Sequence, residues 1–434
     1  MECLPLRQVD SKYRNFMSKP RLLWVGDACC PTGFARVTHN IIPYLQDQWD
    51  VSVLGINYRG DPHKHGYPIY PASTGSHEDV WGLARFPAML NKLKPDVVLV
   101  NNDPWNVINF LDVAGNVPIV SYMPVDSPNM RSDVALKLNK AVLNICYTEF
   151  GVTELVNAGL NRLRTAVVPH GVDSELYRPM DKAVARKTLG FENEIPSDAF
   201  VVGNVNRNQQ RKRLDLTVIY FAKWLLQCKM PDNVFLHLHC KLRDIGWDLL
   251  QLADYFGLKG RVLLTDTKLD NLLGIDESVM PYIYNCFNVQ MSTTMGEGWG
   301  LTTHEGMSCG IPQIVPEWSA LGEWPRGAVR YVPVSGVQAT VAAINTIGGI
   351  CSEDGMVKAL DQMYRSPDLL EEYGKLAYAR ATETRFSWAS VSAQILDLLE
   401  KVRGKPRVNA LRSCTRLLDT SKIDSKGDLG GIHG

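Results

Sequence analysis

Several common features are missing from this sequence, and each absence narrows what the chain is. It lacks net charge: lysine plus arginine number 46, and so do aspartate plus glutamate. The basic balance that marks many nucleic-acid binders is therefore absent, although a local basic patch stays open. None of the ten cysteines forms a C-x-x-C pair, and Cys29 and Cys30 are simply adjacent. Scattered cysteines in a chain of 434 residues read as reduced thiols rather than a disulfide framework. The first twenty residues hold Arg7, Lys12, Arg14 and Lys19 but no apolar core, so they do not read as a secretory signal. No uncharged apolar run approaches the roughly 18 residues of a membrane span. These absences predict a cytoplasmic protein with no transmembrane segment. No repeat at a fixed period is present either.

What is there is an ordinary globular composition, 45% hydrophobic and 21% charged, in a chain long enough for two domains. Residues 21–26, RLLWVG, form a short apolar run closed by glycine, the pattern of a buried parallel strand. A loop follows, then helical spacing over 34–45. Further strand-like runs fall at 51–55, 96–100, 117–121, 143–147 and 165–168, with helical patterns at 81–94 and 133–140. The pattern then restarts. FVVGNV at 200–205 is a second apolar run, followed by a loop at 206–213 and a helix at 214–227. Strands are expected at 234–239, 261–264, 288–291 and 313–315, and a last amphipathic helix over 386–402. Alternating strands and helices predict an α/β protein of two Rossmann-like domains facing a cleft. The expected divisions are an N-terminal extension (1–20), a first domain (21–180), a second domain (181–385), a crossover helix (386–403) and a mobile tail (404–434).

Ligands of open α/β sheets bind beyond the carboxyl ends of the strands, so the loops there carry the functional reading. In the first domain, Pro31-Thr32-Gly33 lies between strand and helix. Gly33 either lets a phosphate approach the backbone or only makes the turn. In the second domain, Arg207, Arg211, Lys212 and Arg213 fall within seven residues after a strand and are expected to face a cleft. They suit a diphosphate, since arginine grips phosphate oxygens in a fork and lysine adds a compact charge. A solvated basic loop or a weak nucleic-acid patch fits the same charges.

The most specific run is GEGWGLTTHE, residues 296–305. Glu297 sits among Gly296, Gly298 and Gly300, and Glu305 lies eight positions on, about one turn into a helix expected over 302–309. Glycines there let a bulky ligand lie close to the backbone. Two carboxylates so placed can grip sugar and ribose hydroxyls and balance charge at an oxocarbenium-like carbon.

With these motifs in order, the chain resembles glycosyltransferase family 4, retaining enzymes of the GT-B fold. The E-x7-E motif matches Glu297 through Glu305, and GMSCGIPQIVP matches its continuation. Arg207 and Lys212, five apart, match the family's arginine and lysine, PHGVD at 169–173 resembles its P-N-G-V-D, and PTGFAR at 31–36 resembles its N-terminal glycine loop. The resemblance covers roughly residues 20 to 400 and implies several roles. Arg207 and Lys212 would hold the donor diphosphate, and Glu305 the ribose. Glu297 would lie by the donor sugar and its reacting carbon. Gly33 and the amides of Leu301 and Thr302 would meet the phosphates, with Gly298 and Gly300 giving the donor room. No metal or cofactor is implied, and the last helix would cross back onto the first domain. The family's first-domain histidine has no counterpart in SYMPVD at 121–126, so Asp126 is expected on the acceptor side of the cleft.

The expected activity is transfer, with retention, of a hexosyl or pentosyl group from a UDP-, GDP- or ADP-sugar to an acceptor hydroxyl. The acceptor stays open among a glycan, a small molecule, a protein and a modified DNA base. The competing readings are an epimerase or phosphorylase of the same fold and a non-catalytic sugar-nucleotide-binding protein. His237 and His239 alternate in a strand with no further ligand at metal spacing, so they are expected to pack. His170, Trp105 and Asp103 are further candidates near strand ends.

Overall fold

Strand β1 (Arg21–Asp27) is buried at every position but its first. This explains its nearly unbroken apolar run, because helices cover both faces of the sheet in which it is an inner strand. The computed structural model describes residues 18–73, 79–242, 244–265, 275–340 and 346–405. The expected N-terminal extension and tail lie outside the described residues, apart from 18–20 and 404–405.

The first sheet adds β2 (Asp50–Ile56), β3 (Ile69–Pro71), β4 (Val97–Asn101), β5 (Ile119–Met123), β6 (Leu143–Cys146) and β7 (Thr165–Val167). Its order is β3-β2-β1-β4-β5-β6-β7, all parallel. The second sheet holds β8 (Phe200–Val205), β9 (Val234–His239), β10 (Val262–Leu264), β11 (Val289–Met291), β12 (Gln313–Pro316) and β13 (Arg330–Val332). It runs β10-β9-β8-β11-β12-β13, again parallel throughout. An antiparallel hairpin, β14 (Val334–Ala339) with β15 (Ile347–Cys351), stands outside both. In each sheet the chain reverses direction of progress beside the first strand. The crevices lie between β1 and β4 and between β8 and β11, where such sheets take their ligands.

Helices α1 (Gly33–Leu45), α2 (Phe86–Leu93), α3 (Pro104–Val113), α4 (Ser132–Leu138) and α5 (Glu149–Asn157) accompany the first sheet. The second has α6 (Lys182–Thr188), α7 (Leu214–Gln227), α8 (Leu249–Tyr255), α9 (Met280–Asn285), α10 (Leu301–Ser308), α11 (Glu353–Arg365) and α12 (Pro367–Ala381). Helix α13 (Trp388–Val402) crosses back to the first domain. Trp388, Val391, Ile395, Leu399 and Val402 join one core with Val37, Ile41 and Ile42 of α1. Each such burial contributes at most roughly 1.5–3 kcal/mol, so the apolar stripe suffices to fix the crossing. The same core takes in Trp299, Met307, Val315 and Trp324 of the second domain.

One helix is shorter than its sequence pattern. Of the expected 81–94, only Phe86–Leu93 is helical. The Asp79 carboxylate accepts from the amides of Gly82, Leu83 and Ala84 at 2.8, 3.1 and 2.8 Å, and Gly82 has φ +78°. A side chain that satisfies those amides holds a turn in place of the first helical turn.

Candidate functional site

After β8 the chain enters residues 206–213, and its course there decides which cations reach the cleft. Asn208 is fully buried and pins the loop: its amide donates to the carbonyls of Leu242 (3.0 Å) and Trp247 (2.7 Å). A tight turn over 210–212 follows, closed by Arg213 at φ +51°. The loop is stitched to the one after β11, since Met295 N donates to Arg211 O at 2.8 Å and the Thr293 hydroxyl to Arg213 O at 2.7 Å. Two loops from neighbouring strands thus form one surface at the β8/β11 crevice.

That surface presents Arg211 and Lys212 to Glu297. Lys212 Nζ lies 2.5 Å from Glu297 Oε1, and Arg211 Nη1 lies 3.2 Å from Oε2. Arg211 also donates to the Gly296 carbonyl and sets its Nε 3.3 Å from Asp126 of the first domain. Burial by itself raises the Glu297 carboxyl, but Lys212 and Arg211 outweigh it and hold the group down to about 2. Burial lowers the Lys212 ammonium, and Glu297 opposes that. A buried carboxylate with two cations on it stays ionised.

The expectation that the cations of this loop face the cleft together is corrected at two of them. Arg207 turns outward, 59% exposed, with its Nε 2.5 Å from Asp244. Arg213 pairs with Asp215 at 2.9 Å. The turn at 210–212 rotates successive side chains to different sides, so only Arg211 and Lys212 point inward. Arg211 takes the position beside Glu297 that Arg207 does not reach.

Glu305 lies in α10, 3% exposed, apart from the Lys212–Glu297 pair. One oxygen accepts from Arg36 of α1 and the other from the Tyr284 hydroxyl at 2.6 Å. Burial raises its carboxyl, with Arg36 and Tyr284 opposing. Arg36 also sits 3.2 Å from Glu277. Gly300, at φ +92°, turns the chain into α10, and Leu301 and Thr302 open the helix. Gly33 opens α1 across the cleft, where a Cβ would come 3.2 Å from the Leu301 side chain.

The domains meet through glycine. A Cβ at Gly296 would overlap the Asp126 carbonyl and the Ser127 hydroxyl, and one at Gly298 would overlap Pro124. The space left among Arg36, Tyr177, Glu277, Leu301, Glu305 and Trp388 is about 10 Å3, near the minimum for one water. A larger cavity of about 780 Å3 opens at the amino ends of the first sheet, beside Lys19, Trp49 and Asp96. Ligands of such sheets bind at the opposite end, so the cleft remains the candidate site.

The first domain's face of the cleft is acidic. Asp27 ends β1, accepting from Thr32 (2.6 Å) and Asn57 (3.2 Å), and Asp103 follows β4. Burial, then the charge of Asp126, push Asp103 up to about 7, with Arg211 opposing. Burial raises Asp126 as well, again against Arg211.

Arg36, Glu277, Tyr284 and Asp27 were not picked out as site residues by the sequence reading. Arg36 lay inside the quoted PTGFAR run, but its spacing gives no hint of a partner 269 residues away. His170 packs against Tyr147, Trp299 and Trp388 and meets the Tyr122 hydroxyl at 2.8 Å, an interdomain joint. His237 pairs with Thr265 at 2.8 Å, and Trp105 lies against the first domain's core. Among the described residues, no three His, Cys, Asp or Glu side chains group to hold a metal ion, and no helix is long and apolar enough to cross a membrane.

Comparison with known proteins agrees with this layout. Residues 31–176 match the family described as Glycosyltransferase Family 4. D-inositol 3-phosphate glycosyltransferase 2 of Catenulispora acidiphila is 24% identical over 271 residues, covering 59% of this chain and 55% of that protein. The chain thus spans about half the length of that curated relative, and 38% and 39% of two others. Among solved structures, sucrose-phosphate synthase from Thermosynechococcus elongatus superposes with a TM-score of 0.70 at 16% identity, over 89% of this chain and 99% of that one. Anabaena HepE in complex with UDP and glucose gives 0.66 at 16% identity, over 88% and 100%. The chain is therefore similar to glycosyltransferase family 4 over residues 31–176 and has the GT-B fold of these solved structures.

Proposed function

We propose that this protein is a cytoplasmic glycosyltransferase that moves a hexosyl or pentosyl group from a nucleotide-diphosphate sugar to an acceptor hydroxyl, with retention of configuration. The observation that carries the reading is the meeting of Lys212, Arg211 and Glu297 at the β8/β11 crevice, opposite Gly33. As the donor's C1–O bond breaks, negative charge gathers on the departing diphosphate. Lys212 and Arg211 stabilise it, helped by the amides of Leu301 and Thr302 at the start of α10. Fixed charges in a water-poor cleft need no reorganisation at that moment. Glu297 orients the cation pair and faces the sugar carbon as it becomes electron-poor. Glu305 holds the ribose. Arg207 joins the diphosphate only by leaving Asp244.

The acceptor oxygen forms the new bond to C1 on the face that the leaving group vacates, and its proton passes to a departing phosphate oxygen. Asp126 positions that hydroxyl from the first domain. The wall made by Asp27, Asp103 and Asp126 suits a neutral polyhydroxyl acceptor such as a glycan. It is a poor match for the polyanion that a modified DNA base brings with it. HepE was solved with UDP, so UDP-sugars are the first donors to test, ahead of GDP- and ADP-sugars. The domains touch at Gly296 and Gly298, so donor entry requires them to part and closure then excludes water.

The test is donor binding and donor hydrolysis across the three sugar-nucleotide classes. Lys212→Ala and Glu305→Ala should weaken donor binding, while Glu297→Ala should keep binding and lower turnover by about 10² or more. Equal donor affinity in all three variants and the parent refutes the assignment. Binding without any turnover in the parent points instead to a sugar-nucleotide sensor.

A further inference from the structure

We propose that Arg36 is an interdomain latch that occupies the ribose carboxylate Glu305 and is exchanged for the donor's ribose when the cleft opens. The inference rests on the reading of Glu305 given above.

Five side chains form the contact. Tyr284 donates to one oxygen of Glu305 at 2.6 Å and Arg36 donates to the other. Arg36 continues to Glu277 at 3.2 Å, and Glu277 accepts from Tyr177 at 3.2 Å. Tyr284, Glu277 and Glu305 belong to the second domain, and Tyr177, in the segment that joins the two domains, packs with Tyr284 in one of the second domain's cores. Arg36 alone comes from the first domain, from the opening turn of α1.

Both Glu305 oxygens are thus engaged, and the carboxylate is 3% exposed. A buried carboxylate that loses a partner costs about 1–3 kcal/mol or more, so whatever replaces Arg36 must bond Glu305 in turn. A ribose diol does so through its hydroxyls. Tyr284 is fully buried and cannot leave. Arg36 is carried away by rigid movement of its own domain, since it stands on α1 and has no ion pair with that domain among the described residues. Domain opening and exposure of the ribose site are therefore one event. Glu305 is never left without a bond in either state.

Removing the latch shifts the resting population towards the open, binding-competent form, and apparent affinity rises by the fraction gained. Two measurements test this on the full chain. Without nucleotide, small-angle scattering should give a larger radius of gyration for Arg36→Ala than for the parent, with Glu277→Gln between them. With UDP alone, and with GDP and ADP in parallel, Arg36→Ala should bind about tenfold tighter and Glu277→Gln should again fall between. The titration is done at alkaline pH, because burial raises the Glu305 carboxyl and the variant lacks the Arg36 charge that opposes it. An unchanged radius, or UDP binding equal to or weaker than the parent's, overturns the latch. Glu277 is 44% exposed, so its variant keeps the test alive if Arg36→Ala does not fold. If the parent and Glu305→Ala bind every nucleotide equally, the ribose assignment fails, and the scattering result still decides the latch.

Discussion

In the first sheet, the segments at the ends of β1, β4 and β5 bring Asp27, Asp103 and Asp126 to the cleft, while the second sheet brings Arg211, Lys212 and Glu297 there. The strand order is the same apart from the extra edge strand β7 of the first sheet, each sheet reversing beside its first strand. One architecture therefore carries an acidic face and a cationic face that meet through Arg211 and Asp126 at 3.3 Å. The difference teaches that the sheet fixes where a ligand goes, and the loops fix which charge it meets. It also divides the labour that the proposed transfer requires. The cationic face is suited to a diphosphate, and the acidic face to hydroxyls.

The meeting of the faces is where this comparison breaks most readily. Gly296→Ala puts a methyl group into the Asp126 carbonyl, which as backbone cannot yield. Turnover should fall by about 10², because misplacement by an ångström costs that much, while each domain stays folded. Gly33→Ala meets only the flexible end of Leu301 and should change turnover far less. Comparable losses in the two variants, in turnover and melting temperature measured side by side, would show that the glycine contacts are not what closes the cleft.

Acid should expose what the domains share. His39 in the first is pressed down to about 4 by burial, and His304 at the joint likewise to about 4. His237 in the second goes to about 3 for the same reason. Above their ordinary value of 6.5 these rings are neutral whether the chain is folded or not. Below it the unfolded chain takes up protons that the fold refuses, so stability falls from pH 6.5 to about 4. Glu297 extends the loss. Its stabilisation is present above 4.5 and disappears as pH falls towards about 2. Asp103, pushed up to about 7, offsets part of this loss because the fold takes up its proton first. Denaturant midpoints should therefore decline less steeply than the histidines alone would give, and a midpoint that rises from pH 6.5 to 4 would contradict the buried-histidine account.

The smallest effect sharpens the cationic face. Arg207→Ala removes an exposed arginine from Asp244, whose side chain is 8% exposed, and should cost about 1 kcal/mol of stability. Its effect on UDP affinity should be well below that of Lys212→Ala. If instead the two variants lose affinity equally, Arg207 leaves Asp244 when the donor arrives, as the family resemblance implies.

How much was legible beforehand varied by element. Helix α7 occupies the predicted residues, 214–227, because its apolar spacing and the preceding turn both mark it. β8 and β9 also match, each being a buried apolar run. Helices α3 and α12 were passed over, although each opens with proline after a capping-type residue, a readable start signal. The hairpin β14–β15 was missed as well. β14 is mostly exposed and lacks the alternation that marks a half-buried strand. At the site, Lys212, Glu297 and Glu305 were picked out by motif. Their partners Arg36 and Tyr284 were not, since they lie far from Glu305 along the chain, and Asp126 is expected from the sequence only on the acceptor side, not as a partner of Arg211.

By itself the sequence determined the two α/β units, the carboxyl-end loops that bear the charged residues, and the apolar stripe that sends α13 back across the molecule. These are local matters of period, punctuation and burial. Only the tertiary structure decided which charges meet: Arg211 in place of Arg207 beside Glu297, and Arg36 on Glu305. Pairings of that kind depend on how a turn rotates each side chain and how closely two domains approach. No spacing within one segment encodes either.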